Sequence, residues 1–425
     1  MNTEKLNIWL NRIFSILIII VFIFSCSTLG NKNKKSRIME TTDYERGTFG
    51  YDLQFLNDYI DPVILKDPSG KSLVIASKEW QGRVLTSSAA GLDGTSYGWI
   101  NYNLIESKQL QPHMNAFGGE DRLWLGPEGG QFSIYFREGT PFEFEHWFVP
   151  EEIDTEPFEL LEAGDQYARF GKNMKLVNYS GFRFSLDIIR EIRLLNPEDV
   201  EGNLGTRVPD NINIVAYESE SMMTNKGSQA WTKETGMLSI WILGMFTPSP
   251  SVTIIIPYKQ GDESAFGPVV NDTYFGKISS DRMKISDGII FFRGDGKSRG
   301  KIGLSPLRVI PLAGSYDADN KTLTVVQFSF REGIHDYVNS MWEIQDEPFR
   351  GDVLNSYNDG PLEDGSQMGP FYELESSSPA ANLQHGESIN HLHRTYHFQG
   401  NEDALDEIAR KIFGVSLERI KSAFL

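Results

Sequence analysis

Residues 371–399, FYELESSSPAANLQHGESINHLHRTYHFQ, predict two β-strands joined by a loop. In the first strand, Glu373 and Glu375 are two positions apart, so both carboxylates project from the same face of a sheet. The loop contains proline, asparagine and glycine, which interrupt regular structure. The stretch therefore predicts two strands separated by a loop, with a pair of carboxylates on one face of the first strand.

The second strand of this stretch carries histidines at alternate positions. His391, His393 and His397 share one face with Thr395, and four of the seven histidines of the chain lie between residues 385 and 397. We expect His391 and His393 to contact a ligand. A metal site formed by the three histidines is the alternative, because histidines at i and i+2 of a strand can chelate. The ligand or packing role is favoured, and neither a metal nor an organic cofactor is expected.

The rest of the chain is also rich in short segments of β-branched and aromatic residues between turn signals. The predicted strands are Leu73–Ser77, Arg83–Ser87, Phe132–Phe136, Phe184–Ile189, Ile212–Tyr217, Leu238–Phe246, Val252–Tyr258, Ile289–Arg293, Leu307–Leu312 and Leu323–Phe330. Helical periodicity is nearly absent between them, so the pattern predicts an all-β, large antiparallel sandwich.

The last 25 residues differ from this pattern and predict a short C-terminal helical appendage over residues 401–424. Asn401 is placed to cap a first helix, and Gly414 to end it. Ser416 can begin a second helix. We expect both helices to cover an edge or a face of a sheet.

Residues 371–399 resemble the C-terminal region of the aldose 1-epimerases, the galactose mutarotase family. The matching residues, in order, are Leu374-Glu375, Pro379, Asn382, Gly386-Glu387 and Tyr396-His397-Phe398. The resemblance implies a β-supersandwich fold, and it implies that Glu375 is the general base. In that family a mid-chain histidine is the acid, but no histidine lies between Trp147 and Ile334 here. Three outcomes follow from this departure: His335, chosen here as the catalytic partner, His113 or His146 takes the role, another residue type takes it, or the protein does not epimerise sugars.

A second candidate region is residues 117–131, FGGEDRLWLGPEGGQ. Carboxylates and arginine form bidentate hydrogen bonds with neighbouring hydroxyl groups, and a tryptophan ring suits the apolar side of a sugar. The candidate substrate-binding residues are Glu120, Asp121, Arg122, Trp124 and Glu128, together with Glu373 from the carboxylate strand. A tight structural turn with internal ion pairs is the alternative for this region.

The segment from Trp342 to Met368 is predicted to be a long loop, and loops of this length are frequently functional. It contains Tyr357, Asn358 and Asp359, which we expect at the rim of a ligand pocket.

The N-terminus predicts export. Residues 13–24 form an apolar stretch, too short to span a bilayer, that ends just before Cys26, the only cysteine of the chain. We therefore expect a lipoprotein signal peptide over residues 1–25, a lipid-anchored linker over 26–41 beginning at acylated Cys26, and one β-supersandwich domain over 42–425. The expected location is the cell envelope, on the periplasmic or outer-membrane face.

The formal net charge of −18 disfavours nucleic acid and anionic lipid headgroups as partners. A carbohydrate ligand is expected, with membrane contact only through the lipid, and the oligomeric state stays open. The first functional hypothesis is a carbohydrate-interacting lipoprotein, with aldose 1-epimerase-like chemistry at Glu375. The alternatives are a non-catalytic glycan-binding lipoprotein and, third, a glycoside hydrolase that pairs Glu375 with Glu128 or Asp121.

Overall fold

The computed structural model describes residues 43–425, and its regular structure is dominated by antiparallel strands. In chain order the strands are β1 (Val63–Lys66), β2 (Leu73–Ser77), β3 (Arg83–Ser88), β4 (Arg122–Gly126), β5 (Glu159–Ala163), β6 (Tyr167–Val177), β7 (Arg183–Leu194), β8 (Ile212–Asn225), β9 (Ser239–Phe246), β10 (Thr253–Pro257), β11 (Met283–Ser286), β12 (Ile289–Arg293), β13 (Gly300–Leu304), β14 (Leu312–Asp317), β15 (Thr322–Phe328), β16 (Leu354–Asn358), β17 (Tyr372–Ser377) and β18 (Ser388–Gly400). The signal peptide, Cys26 and the linker predicted from the sequence lie outside the described residues.

Helices are short and lie mainly in the connections. They are α1 (Phe49–Leu56), α2 (Tyr102–Ser107), α3 (Glu151–Asp154), α4 (Pro197–Leu204), α5 (Glu263–Phe266), α6 (Glu402–Phe413) and α7 (Leu417–Lys421), with a 3₁₀ turn at Phe144–His146. No helix within residues 43–425 combines the length and the apolar character that crossing a bilayer requires.

The strands form three sheets. The largest has ten strands in the order β11-β12-β10-β14-β15-β18-β8-β7-β6-β5, the second has five in the order β13-β16-β17-β9-β4, and β1-β2-β3 form a third. Neighbouring strands are antiparallel throughout these sheets. The predicted all-β antiparallel fold with C-terminal helices is therefore confirmed.

Apolar side chains fill the space between the two large sheets. Leu374 of β17 and Ile302 of β13 belong to one buried cluster with Ile254 of β10 and Val326 of β15. Burying such a side chain stabilises the fold by about 1.5–3 kcal/mol. The contact between the five-stranded and ten-stranded sheets is therefore the centre of the sandwich.

Strand alternation gives the five-stranded sheet two different faces. Leu374 and Ser376 point toward the ten-stranded sheet, where Ser376 contacts β18. Glu373 and Glu375 therefore point to the opposite face. That outer face also carries Lys301, which lies in register with Tyr357 of β16, the partner of Glu373. The carboxylate pair predicted from the sequence thus lies outside the main apolar core.

Both C-terminal helices begin where the sequence predicts, and α6 also ends there, whereas α7 ends at Lys421, before the predicted Phe424. The Asn401 side chain accepts a hydrogen bond from the Ala404 amide, Gly414 ends α6 with a φ of 72°, and the Ser416 side chain caps α7. Their apolar residues form one buried cluster with Ile255, Leu323 and Phe398 of the ten-stranded sheet, made by Leu405, Ile408, Phe413, Leu417 and Ile420. The helices therefore cover a face of that sheet.

Two predicted strands are wrong. Residues 132–136 form turns and bends with one isolated bridge, and residues 306–308 form a turn that an isolated bridge at Val309 follows before β14 begins at Leu312. Arg308 is buried there and donates to the carbonyl oxygens of Gly267 and Lys259. Apolar residues in both segments reflect burial of a loop rather than pairing in a sheet. The segment from 342 to 368 also differs from the prediction, because it contains β16.

Candidate functional site

A cavity of about 1030 Å³ lies over the outer face of the five-stranded sheet. Lys301 and Tyr357 reach it from the sheet, and loops around residues 111–114, 340–343 and 359–368 supply much of the remaining wall. Trp147 and Trp342 line it with ring centroids 5.8 Å apart and ring planes inclined by 26°. We call it the tryptophan cavity.

Further aromatic rings extend the lining of the tryptophan cavity. The Phe144 ring lies 6.0 Å from that of Trp147 and nearly parallel to it. On other elements, the Phe275 ring meets Tyr357 edge-on at 5.9 Å. Pockets with aromatic walls and a few polar groups are typical sites for small organic ligands, including sugars with one apolar side.

Lys301 forms the charged floor of the cavity. Its ammonium nitrogen lies 3.1 Å from Oε2 of Glu375 and 4.7 Å from the centre of the Trp241 ring. Burial lowers the pKa of Lys301, but the negative charges of Glu375 and Glu128 outweigh burial and hold this pKa above its ordinary value. Lys301 is therefore a fixed cation at neutral pH.

Glu375 lies beneath Lys301 and does not line the cavity. Its side chain has no exposed surface, and Oε2 accepts a hydrogen bond from Trp241 Nε1 at 2.9 Å. Oε1 has no hydrogen-bond partner among residues 43–425. The predicted general base is thus separated from a ligand in the cavity by its own ion pair.

Glu128 is the acidic residue of the cavity that lies near this ion pair. Burial raises its pKa, the positive charge of Lys301 opposes the rise, and the negative charge of Glu375 adds to it. A hydrogen bond with Trp342 also favours the charged form. A carboxyl group with a raised pKa on the wall of a cavity is a candidate for proton exchange with a bound ligand.

His113 is the histidine among the residues that line the cavity. Its Nδ1 lies 2.6 Å from the carbonyl oxygen of Trp147. Because a carbonyl only accepts, the proton of the neutral ring is assigned to Nδ1, and Nε2 is left as an acceptor. The Phe144 and Phe148 rings, each 4.5 Å away, hold the imidazole in place.

Of the residues singled out in the sequence, Glu128, Tyr357 and Asp359 line the cavity together with His113. The Tyr357 hydroxyl donates to Oδ1 of Asp359 at 2.6 Å, and the Gly369 amide donates to Oδ2. These contacts fix the Asp359 carboxylate, whose pKa is raised by burial although both hydrogen bonds oppose the rise.

Arg122 and Glu373 form a buried ion pair of 3.1 Å on the outer face of the sheet. The guanidinium carbon of Arg122 lies 4.2 Å from the centre of the Trp124 ring, and these three residues are not among those that line the cavity. Asn358 is also buried, and its side chain joins Gly296 and Ser298 to β16.

Glu120 and Asp121 lie in the interior. Glu120 Oε2 is 2.9 Å from His397 Nε2, and it accepts from the Tyr217 hydroxyl at 3.1 Å. Asp121 forms a fully buried ion pair with Arg190 of β7. The turn of residues 117–131 is therefore held by internal polar contacts over its first part, and it reaches the cavity only at Glu128.

His391 and His393 share one face of β18, as the alternation predicts, and that face lies between the two sheets. The Ser376 hydroxyl is 2.8 Å from Nε2 of His391 and 2.8 Å from Nδ1 of His393. Burial lowers the pKa of His391 to about 3 and that of His393 to about 4. Both rings are therefore neutral, and β17 separates them from the tryptophan cavity.

His335, the histidine chosen as the catalytic partner, is exposed and is not among the cavity residues. Within residues 43–425, no group of three or more histidine, cysteine, aspartate or glutamate side chains is arranged to hold a metal ion.

Sequence reasoning did not single out Lys301, Trp147, Trp241 or Trp342. One signal was available for Lys301, because the segment Gly300-Lys301-Ile302-Gly303 places a charge within a short apolar strand. The three tryptophans are at least 94 positions apart in the sequence, and no local pattern connects them.

A protein-family model, described as a family of unknown function (DUF6786), matches residues 47–424. The chain belongs to that family. No curated protein matches the sequence.

Solved structures match the chain at low sequence identity. The Slr1438 protein from Synechocystis sp. PCC 6803 is 13% identical, with a TM-score of 0.49, over 81% of this chain and 98% of its own. A putative aldose 1-epimerase from Escherichia coli K12 is 10% identical, with a TM-score of 0.44, over 80% and 99%. A galactose mutarotase-like protein from Lactobacillus casei ATCC 334 is 10% identical, with a TM-score of 0.43, over 79% and 100%. Because these scores are below 0.5, the function of this DUF6786 member is inferred from its own residues.

Proposed function

We propose that this protein binds a carbohydrate in the tryptophan cavity. The observation that supports this most is the combination of stacked rings, Phe144, Trp147 and Trp342, with charged groups in the same cavity. Aromatic faces pack against the C–H side of a sugar ring, while Glu128 and Lys301 can exchange hydrogen bonds with its hydroxyl groups.

The test is binding by wild type and by two Trp342 variants. Glycans retained by the wild-type protein on a broad glycan array are measured by calorimetry against Trp342→Ala and Trp342→Phe. Loss of the ring in Trp342→Ala should weaken binding by about tenfold, which corresponds to about 1.4 kcal/mol, and Trp342→Phe should retain most of the affinity. An array on which the wild-type protein retains no glycan contradicts the proposal.

Proton transfer to the bound sugar, as in aldose 1-epimerisation, is a second candidate function, and the raised pKa of Glu128 favours it. Glu375 would then act through Lys301, because its carboxylate is enclosed by Lys301 and Trp241. Glycoside hydrolysis by Glu375 and Glu128 is less favoured, since it requires both carboxylates to contact the ligand.

Exchange NMR on a panel of aldoses separates binding from catalysis. If Glu128 transfers the proton, Glu128→Gln should slow the interconversion of anomers by about 10²-fold, which is much more than its loss of affinity. Glu375→Gln serves as the comparison, because it tests the base implied by the sequence resemblance. A wild-type protein that accelerates no aldose is a binding protein only.

We also propose that the protein is exported and anchored by a lipid on Cys26, which is supported by the apolar stretch at residues 13–24. Cys26→Ser should abolish incorporation of labelled lipid and release the protein from the membrane fraction. Continued labelling of that variant would contradict the proposal.

A further inference from the structure

The tryptophan cavity has two aromatic walls that belong to different parts of the chain. On the first wall, Phe144 lies 6.0 Å from Trp147 and 4.5 Å from His113. On the second wall, Phe275 lies 5.9 Å from Tyr357, which β16 supplies. Each wall therefore offers its own apolar surface to a ligand.

A polar band lies between the two walls. Glu128 forms a hydrogen bond with Trp342 on the first wall, and the positive charge of Arg299 partly opposes the rise that burial causes in the pKa of Glu128. The guanidinium carbon of Arg299 lies 3.9 Å from the centre of the Phe275 ring. Lys301 from the sheet also lines the cavity, and its positive charge opposes the rise in the pKa of Glu128. Hydrogen-bonding groups therefore lie beside the central part of a ligand that contacts both walls.

The outer rings of both walls are accessible. Phe144 is 56% exposed and Phe275 is 46% exposed, although large aromatic side chains are usually buried. The cavity volume of about 1030 Å³ lies at the upper end of the range of about 300–1,000 Å³ for pockets that hold drug-sized ligands. A single hexose would leave one wall and most of this volume unused.

We propose that the ligand of the tryptophan cavity is an oligosaccharide of at least two sugar units. One unit packs on the Phe144 wall, a second packs on the Phe275 wall, and the linkage between them lies beside Glu128 and Lys301. This inference rests on the proposed carbohydrate-binding function and adds the size of the ligand and the position of its two units.

The test compares ligand length with the loss of each ring. From the glycans retained on the array, an oligosaccharide and the corresponding monosaccharide are measured by calorimetry against wild type, Phe144→Ala and Phe275→Ala. The conservative variants Phe144→Tyr and Phe275→Tyr keep a ring at each position. Leu161→Ala is the matched control, because Leu161 is 45% exposed on β5 and does not line the cavity.

The oligosaccharide should bind at least tenfold more tightly than the monosaccharide. Each alanine variant should weaken oligosaccharide binding by about fivefold to tenfold, whereas monosaccharide binding should respond to only one of the two. The tyrosine variants should bind more tightly than the alanine variants, because each keeps a ring, and Leu161→Ala should bind as the wild type does. Equal affinity for both ligand lengths overturns the inference while leaving carbohydrate binding intact, and failure of all glycans to bind overturns both.

Discussion

The ammonium nitrogen of Lys301 lies 3.1 Å from the carboxylate of Glu375. Lys301 lines the tryptophan cavity, whereas Glu375 lies beneath it and does not. The side chain of Glu375 has no exposed surface, and that of Lys301 is 11% exposed. The Glu375 carboxylate therefore affects a ligand in the cavity only indirectly, because it fixes the position and the charge of Lys301.

Lys301→Met should destabilise the fold. Removing the ammonium group leaves a buried carboxylate without its counter-charge, and breaking a buried pair in this way typically costs about 3–5 kcal/mol. Urea unfolding at neutral pH measures the loss. Lys233→Met is the control, because the Lys233–Asp336 pair is largely exposed and should contribute little. Adding Glu375→Gln to Lys301→Met should recover part of the stability, and a double variant no more stable than the single one would argue against the mechanism.

Stability should fall as the pH drops below about 6.5, where unfolded histidine begins to take up protons. Burial keeps the pKa of His391 at about 3 and that of His393 at about 4, so the folded protein stays neutral at both positions. The free energy of unfolding should therefore decrease progressively between about pH 6.5 and pH 4. His393→Asn removes one of these groups, and its unfolding free energy should depend less on pH. Equal slopes for wild type and variant would exclude this contribution.

Carbohydrate affinity should increase as the pH rises through the raised pKa of Glu128. The ionised carboxylate accepts charge-assisted hydrogen bonds from sugar hydroxyls, which the protonated form does not. Glu128→Gln keeps the shape but cannot ionise, so its affinity should be nearly independent of pH. Calorimetric titrations between pH 4 and pH 8 measure both proteins, and a parallel pH dependence in the variant would assign the effect to another group.

Gly118→Ala should destabilise the protein by more than about 2 kcal/mol. The residue has a φ of 97°, and an added Cβ would lie 2.0 Å from the carbonyl oxygen of Trp99. Gly139→Ala is the matched control, because Gly139 has a φ of 77° but open space around it, so only the backbone cost of about 1–2 kcal/mol applies. Thermal unfolding compares the two, and equal losses would mean that the Trp99 contact is relieved at little cost.

Local sequence patterns predicted the features of this fold that depend on residues close together in the chain. Alternation along β18 places His391 and His393 on one face, and the caps at Asn401 and Ser416 begin α6 and α7 where the sequence indicates. Which sheet lies against that histidine face depends on packing between distant strands. The alternation rule alone could not show that Ser376, rather than Glu375, meets the histidines.

The cavity could not be predicted for the same reason. Lys301 contacts Glu375 only because β16 lies between β13 and β17 in the sheet. Trp147 contacts Trp342 only because two loops that are distant in sequence fold over the same sheet. These contacts join residues separated by 74 positions or more, so no window of sequence contains both partners.

The two faces of β17 also determine how spectra of this protein should be interpreted. Glu375 and Ser376 are consecutive, yet one lies beneath the cavity and the other holds two histidine rings on the far side of the sheet. A ligand that shifts β17 slightly would therefore change the imidazole resonances of His391 and His393 without touching them. These rings can serve as built-in reporters of cavity occupancy, and a shift in their signals is not a sign of direct contact.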